Sequence, residues 1–276
     1  MKAILKYPGS KWSIAEWIIG FFPPHSSYLE PFFGSGEVLF RKPRSPIETV
    51  NDLDGEVVNL FRWIREDPEK LAHEIYYIPY ARQVYEESYG EPPGDSLQQA
   101  VRFAIRLQMG YGYRTNGERV GWKRDIQGRE AAYAARDWRS LPERLLEAAE
   151  RLRGVQIENR PAVELIREYH SEKVLLYLDP PYMPQTRYRK QYRHEMFTEE
   201  SHEELLAAAL QHKGPVLISG YDSDLYRRML RGWRREETIG HNQRGGKRKE
   251  VLWMNFESCR QISLQEIAVQ GQEGGL

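Results

Sequence analysis

"YLEPFFGSGEVLF" (Tyr28–Phe40) carries the reading of the fold. Its first residues favour a strand, Gly34-Ser35-Gly36 marks a turn, and a helix-like run opens at Glu37. Glycines at a strand-to-helix turn reach backbone angles that other residues avoid, and they let a ligand approach the main chain. A dinucleotide fingerprint needs a third glycine where this chain has Leu39, so a pyrophosphate-binding site is not indicated. On its own the turn reads equally well as a plain tight turn.

The next segment narrows the choice. "ETVND" (Glu48–Asp52) reads as a second strand ending on an acid. In nucleotide-binding sheets a carboxylate at that place hydrogen-bonds ribose hydroxyls. Strand, glycine turn, helix, strand and acid describe a site for a nucleoside-bearing ligand without a pyrophosphate, and S-adenosylmethionine is such a ligand. The other reading makes Asp52 the N-cap of the helix "GEVVNLFRWIRE" (Gly55–Glu66).

Working outward, "WSIAEWIIGFF" (Trp12–Phe22) has helical apolar spacing and stops at Pro23-Pro24. Towards the other end, strands "VQIEN", "KVLLYLD", "GPVLIS" and "EVLWMNF" alternate with helices "AVELIREY", "EESHEELLAAALQ" and "DSDLYRRML". Such alternation predicts an α/β fold, a mostly parallel sheet with helices on its faces. Between them residues 68–153 are helical, for example "SLQQAVRFAIRLQ", around the loop "MGYGYRTNGERVGWKRD" (Met109–Asp125). The expected division is a sheet domain from 1–67 and 154–260, a helical insertion or second lobe at 68–153, and a frayed tail at 261–276.

Composition excludes several classes. Hydrophobic residues make up 40% and charged residues 29% of 276, an ordinary globular balance, and the formal net charge of +0 argues neither for nor against nucleic acid. One cysteine rules out a disulfide framework within the chain and suits a cytoplasmic setting. No apolar run approaches membrane-spanning length, and the histidines lack metal-ligand spacing, so neither a membrane nor a metal is expected.

"LDPPY" (Leu178–Tyr182) ends the most apolar strand on a carboxylate followed by two prolines and a tyrosine. With "KYPGSK" (Lys6–Lys11), "EPFFGSG" (Glu30–Gly36) and "NDLD" (Asn51–Asp54), all in this order, the chain resembles the Dam-type family of DNA adenine-N6 methyltransferases. The resemblance spans nearly the whole chain, with the middle matched loosely. It implies a Rossmann-like seven-stranded methyltransferase sheet with helices on both faces and one reversed strand near the edge, plus an inserted, mainly helical target-recognition region.

It further implies S-adenosylmethionine as methyl donor, with S-adenosylhomocysteine as product, and double-stranded DNA as substrate. Some such enzymes are partnered by a cognate restriction endonuclease, while others act in a phage or as orphan methylases. The residues implied at the cofactor are Tyr7, Lys11, Pro31, Phe32, Phe33, Gly34, Ser35, Gly36, Asp52, Asn159 and Asp179. Two departures stand out: Pro8-Gly9-Ser10 where many relatives have Gly-Gly before the lysine, and Asn159-Arg160-Pro161 where relatives often carry an Asp-aromatic pair.

The chemistry of adenine explains the catalytic set Asp179, Pro180, Pro181 and Tyr182. The N6 lone pair is delocalised into the ring. A carboxylate from Asp179 and a carbonyl in the Pro-Pro segment accept the amino hydrogens and favour the charge that develops during transfer. The prolines fix the acceptors in place, and Tyr182 offers a ring for an extruded base. Neither a metal nor a covalent nucleophile is required.

DNA-facing candidates are Arg114, Asn116, Lys123 and Arg124 in the middle loop, and Arg187, Arg189, Lys190 and Arg193 in "TRYRKQYRHEMF" (Thr186–Phe197). A solvated loop is the other reading of the latter stretch. "NQRGGKRKE" (Asn242–Glu250) reads as a basic hairpin turn. Two readings compete with adenine methylation: transfer to another exocyclic amine (cytosine N4 or an RNA base), and a catalytically silent DNA-binding relative.

Overall fold

A computed structural model describes residues 4–112, 114–124, 126, 133–182, 192–196, 198–220, 222–241 and 247–257. Strands β1 (Ser27–Glu30), β2 (Ile47–Asn51), β3 (Val155–Glu158), β4 (Val174–Leu178), β5 (Val216–Gly220), β6 (Arg234–His241) and β7 (Lys247–Met254) form one sheet. Their order is β3-β2-β1-β4-β5-β7-β6. The first five are mutually parallel, and β7 runs antiparallel to both β5 and β6.

Side chains alternate across this sheet, as the two-residue period of a strand requires. Tyr28, Leu175, Tyr177, Leu217, Leu252 and Met254 enter one core; Leu29, Leu176, Leu178, Ile218, Val251 and Trp253 enter the other. Both faces are covered, which is why β4 is a continuous apolar run rather than an alternating one.

The first face carries α1 (Ala15–Ile19), α2 (Glu37–Arg41) and α3 (Gly55–Glu66). It also carries the middle block of α4 (Pro68–Tyr76), α5 (Arg82–Glu87), α6 (Ser96–Met109), α7 (Tyr133–Arg139) and α8 (Leu141–Arg151). Leu71, Phe103, Leu107 and Leu145 of that block share a core with Tyr28 and Leu217, so the block is built directly onto the sheet. The second face carries α9 (Ala162–Glu168), α10 (Glu199–Gln211) and α11 (Asp224–Met229).

One end of β2 is tied to α8 through Glu48, which accepts from Lys42 Nζ at 2.5 Å and from Arg151 Nη1 and Nη2 at 2.6 and 2.8 Å. Burial opposes ionisation of Glu48, but these bonds hold its pKa down to about 2.

Three local expectations change. The helix expected from Trp12 is confined to Ala15–Ile19, because the preceding residues turn, with Ile14 N–H donating to the Lys11 carbonyl at 3.0 Å. "RREETIGH" is a strand, although its residues suggested none: it lies at the sheet edge, where charged side chains are tolerated and guard the open ladder. Lys247–Lys249, expected in a hairpin turn, already belong to β7, paired with Ile239–His241.

Chain order reverses between β1 and β4: β2 and β3 follow on one side, β5 on the other. At such a switch point the loops leaving the two strands diverge, and a crevice opens at their carboxyl ends. Among the described residues no helix is long and apolar enough to cross a membrane.

Candidate active site

On one side of the crevice β1 stops at Glu30, because Pro31 has no N–H with which to continue the ladder. Gly34 and Gly36 follow with φ of 50° and 70°, in the left-handed region. At Gly34 a Cβ would stand 2.9 Å from the Tyr7 ring, so the glycine also admits that ring to the turn. Asp52 clamps the turn to β2: its Oδ2 accepts from Gly34 N–H at 2.8 Å and its Oδ1 from Asp54 N–H at 2.9 Å.

The helix cap is Asp54, whose side chain accepts from Glu56 N–H at 3.0 Å, so the N-cap reading of Asp52 is replaced. Asn51 knits three segments by donating to the Pro31 and Arg160 carbonyls and accepting from Arg160 N–H at 2.8 Å. Asn159 is a strut rather than a wall residue, donating to the Asp52 carbonyl at 2.7 Å.

Across the switch, Asp179 follows β4. Its Oδ1 lies 2.8 Å from Lys11 Nζ and accepts from Ser219 Oγ at 3.0 Å. Ser219 is oriented in turn by the Tyr177 hydroxyl at 3.0 Å. Oδ2 has no protein donor among the described residues. Lys11 Nζ also lies 4.7 Å from the centre of the Tyr182 ring, and the Tyr182 hydroxyl donates to Glu250 Oε2 at 2.7 Å. Burial alone would pull the Lys11 ammonium down, but the Asp179 and Glu250 carboxylates outweigh it and hold its pKa above the usual value.

Between these walls lies a cavity of about 520 Å³. Tyr7, Lys11, Pro31, Phe32 and Phe33 line it, as do Gly34, Ser35, Asp52, Asp179 and Pro181. Gly36, Asn159, Pro180 and Tyr182 do not line it. Four lining carboxyls are raised by burial: Glu30 to about 8, despite a 2.8 Å bond from the Tyr28 hydroxyl, Asp52 and Glu37 to about 7 each, and Asp54 above its ordinary value. Glu37 Oε1, in its buried position, has no hydrogen-bond partner among the described residues. Such a cavity favours a ligand that brings positive charge and hydroxyl donors.

The Glu30 shift has a measurable consequence. Glu30 stays neutral in the fold at pH values where it has ionised in the unfolded chain. Its contribution to stability is therefore full below its ordinary 4.5 and is lost as pH rises through about 8. Glu30→Gln keeps the acceptor for Tyr28 and removes the titration. The ligand-free variant should melt higher than the native chain by roughly a few degrees at pH 8.5, with the gap closing near pH 5. A gap that does not change with pH in paired thermal melts contradicts this.

The DNA-facing candidates fall into four groups. Arg114 pairs with Glu118, Asn116 Oδ1 accepts from Glu118 N–H at 3.1 Å, and Arg124 is exposed. Arg193 pairs with Glu56 and sits in the walls of both the main cavity and a smaller one of about 180 Å³, which Arg102, Arg106 and Arg114 also line. Lys123, by contrast, is buried, its ammonium 4.5 Å from the centre of the Tyr133 ring, so it faces the protein interior. Arg187, Arg189 and Lys190 lie outside the described residues, as does the Asn242–Gly246 part of the basic stretch.

Sequence reasoning did not select Ser219, Tyr177, Glu250, Glu30 or Asn51 for the site. Glu30 and Asn51 carried a signal all the same, as the first residues of the blocks "EPFFGSG" and "NDLD".

Comparison with known proteins shows the family. The family model for D12 class N6 adenine-specific DNA methyltransferases matches residues 7–243. Proteins named DNA adenine methylase, from the Classical Ogawa and El Tor Inaba strains of Vibrio cholerae serotype O1, are each 24% identical over 274 residues. Those alignments cover 92% of this chain and 96% of each relative.

Proposed function

The chain belongs to the D12 class of N6 adenine-specific DNA methyltransferases, and we propose that its methyl donor is S-adenosylmethionine, held in the cavity between the glycine turn and Asp179. The cavity's buried carboxyls Glu30, Glu37 and Asp52 favour a cation, and S-adenosylmethionine carries a sulfonium and an ammonium. Gly34 lets the Tyr7 ring pack against the turn, and both line the space an adenosine-sized group would enter. Asp52 would hold ribose hydroxyls, and Tyr7, Phe32 and Phe33 supply apolar walls. When bound, the donor supplies an electrophilic methyl group.

The observation that carries the mechanism is the state of Asp179. Lys11 and Ser219 occupy Oδ1 and set the carboxylate plane, which leaves Oδ2 to accept an N6 hydrogen of the target adenine. That bond returns electron density to the amino nitrogen and favours the charge formed as the methyl group arrives. Pro180 and Pro181 stiffen the exit from β4 so that the acceptors are preorganised. The base must leave the duplex to reach this depth, and Tyr182 is the ring on which it stacks. Residues 68–153 form the target-recognition region in this reading, with Arg114, Asn116 and Arg193 as DNA contacts.

The test is to incubate the protein with S-adenosylmethionine and methyl-free duplex DNA, digest to nucleosides and identify the product by mass spectrometry. N6-methyladenine from the native chain and none from Asp179→Ala is the expected result. N4-methylcytosine, or no methylated base while the cofactor binds, overturns the reading.

A further inference from the structure

Glu250 is the residue whose position the motifs do not explain. It lies near the start of β7, the strand that runs against its neighbours, so this part of β7 stands at the carboxyl ends of the parallel strands, beside Asp179. Its register partner on β6 is Thr238, which offers no charge. Lys249, one position earlier, does pair across the ladder, with Glu237 at 2.5 Å. Glu250 instead reaches to the Tyr182 hydroxyl at 2.7 Å, across 68 positions of sequence.

We propose that Glu250 is a positioning residue that holds the Tyr182 ring in its base-stacking orientation. The proposal rests on the stacking role given to Tyr182 above. A tyrosine ring turns about two side-chain torsions: a hydroxyl-to-carboxylate bond anchors the tip and so stops the first, and a cation against one face limits the second. Glu250 fixes the ring at its tip while Lys11 holds one face, 4.7 Å from the ring centre. The same carboxylate joins Asp179 in keeping Lys11 charged, so the cation, the ring and the catalytic carboxylate form one unit. A flipped adenine then meets a platform already set. Ordering one such side chain in advance is worth on the order of tenfold in the step that uses it.

The experiment combines single-turnover methylation with the fluorescence of 2-aminopurine placed at the target adenine, which brightens when the base leaves the stack. Glu250→Ala should slow transfer about tenfold and dim the 2-aminopurine signal, with S-adenosylmethionine affinity unchanged. Glu250→Gln keeps an acceptor for the hydroxyl and should recover most of the rate. Tyr182→Phe should match Glu250→Ala, and the double variant should be no slower than either. Native rate and fluorescence in Glu250→Ala, or an undiminished Glu250→Ala effect in the Tyr182→Phe background, overturns the proposal. Tyr182→Ala separates the two claims. Its impairment beside an unimpaired Glu250→Ala overturns the positioning role alone, whereas an unimpaired Tyr182→Ala overturns the stacking role beneath it.

Discussion

Asp179→Ala is expected to lower single-turnover methyl transfer by about three orders of magnitude while cofactor binding largely survives. The bonds of Asp179 run to Lys11 and Ser219 and not to the glycine turn or the Asp52 clamp, which its loss leaves standing. What disappears is the acceptor for the N6 hydrogen and the anion opposite Lys11. Asp179→Asn makes the distinction sharper. Its one carbonyl oxygen can face Lys11 or the adenine amino group, not both, and its amide nitrogen is a donor where an acceptor is needed. The asparagine variant should therefore recover little. Rapid-quench transfer assays paired with calorimetric cofactor titration check both substitutions, and substantial turnover by the alanine variant would remove Asp179 from the mechanism.

Asp52→Ala should act on the other side of the site, raising the cofactor dissociation constant about ten- to a hundredfold, or roughly 1.4–2.8 kcal/mol. Two backbone donors, Gly34 N–H and Asp54 N–H, lose their acceptor together with whatever the carboxylate contributes to ribose. Because burial pushes the Asp52 carboxyl up to about 7, the ionised acceptor is only partly present in the empty cavity near neutral pH. Native affinity should accordingly rise between pH 6 and 8, and part of that rise should vanish in Asp52→Asn. Unchanged calorimetric affinity in Asp52→Ala contradicts the assignment.

Much of this was legible because the motifs are local. The glycine turn, the acid after β2 and the DPPY block each occupy a few consecutive residues whose backbone constraints are written in residue type: glycine for positive φ, proline for a fixed exit, a carboxylate at a strand end. The seven-stranded sheet follows from the family resemblance, and six of its strands are visible as apolar runs. β6 is not, since an edge strand needs little apolar surface and "RREETIGH" has little.

The partners of the site residues were out of reach for a different reason. Ser219 meets Asp179 across 40 positions, Glu250 meets Tyr182 across 68, and Asn51 meets Arg160 across 109. Such contacts depend on strand order and register, which no local pattern encodes. Lys123 illustrates the converse: a basic loop residue by composition, it is turned inward against Tyr133 by packing.

From the residues alone came the α/β class and the expectation of a nucleoside-type site with Asp179 at a strand end, because backbone geometry and carboxylate chemistry are properties of short segments. Only the tertiary structure decided which oxygen of Asp179 is open, which acid caps α3 and which strand reaches Tyr182. Those are matters of distance between segments that the chain brings together only by burying both faces of the sheet.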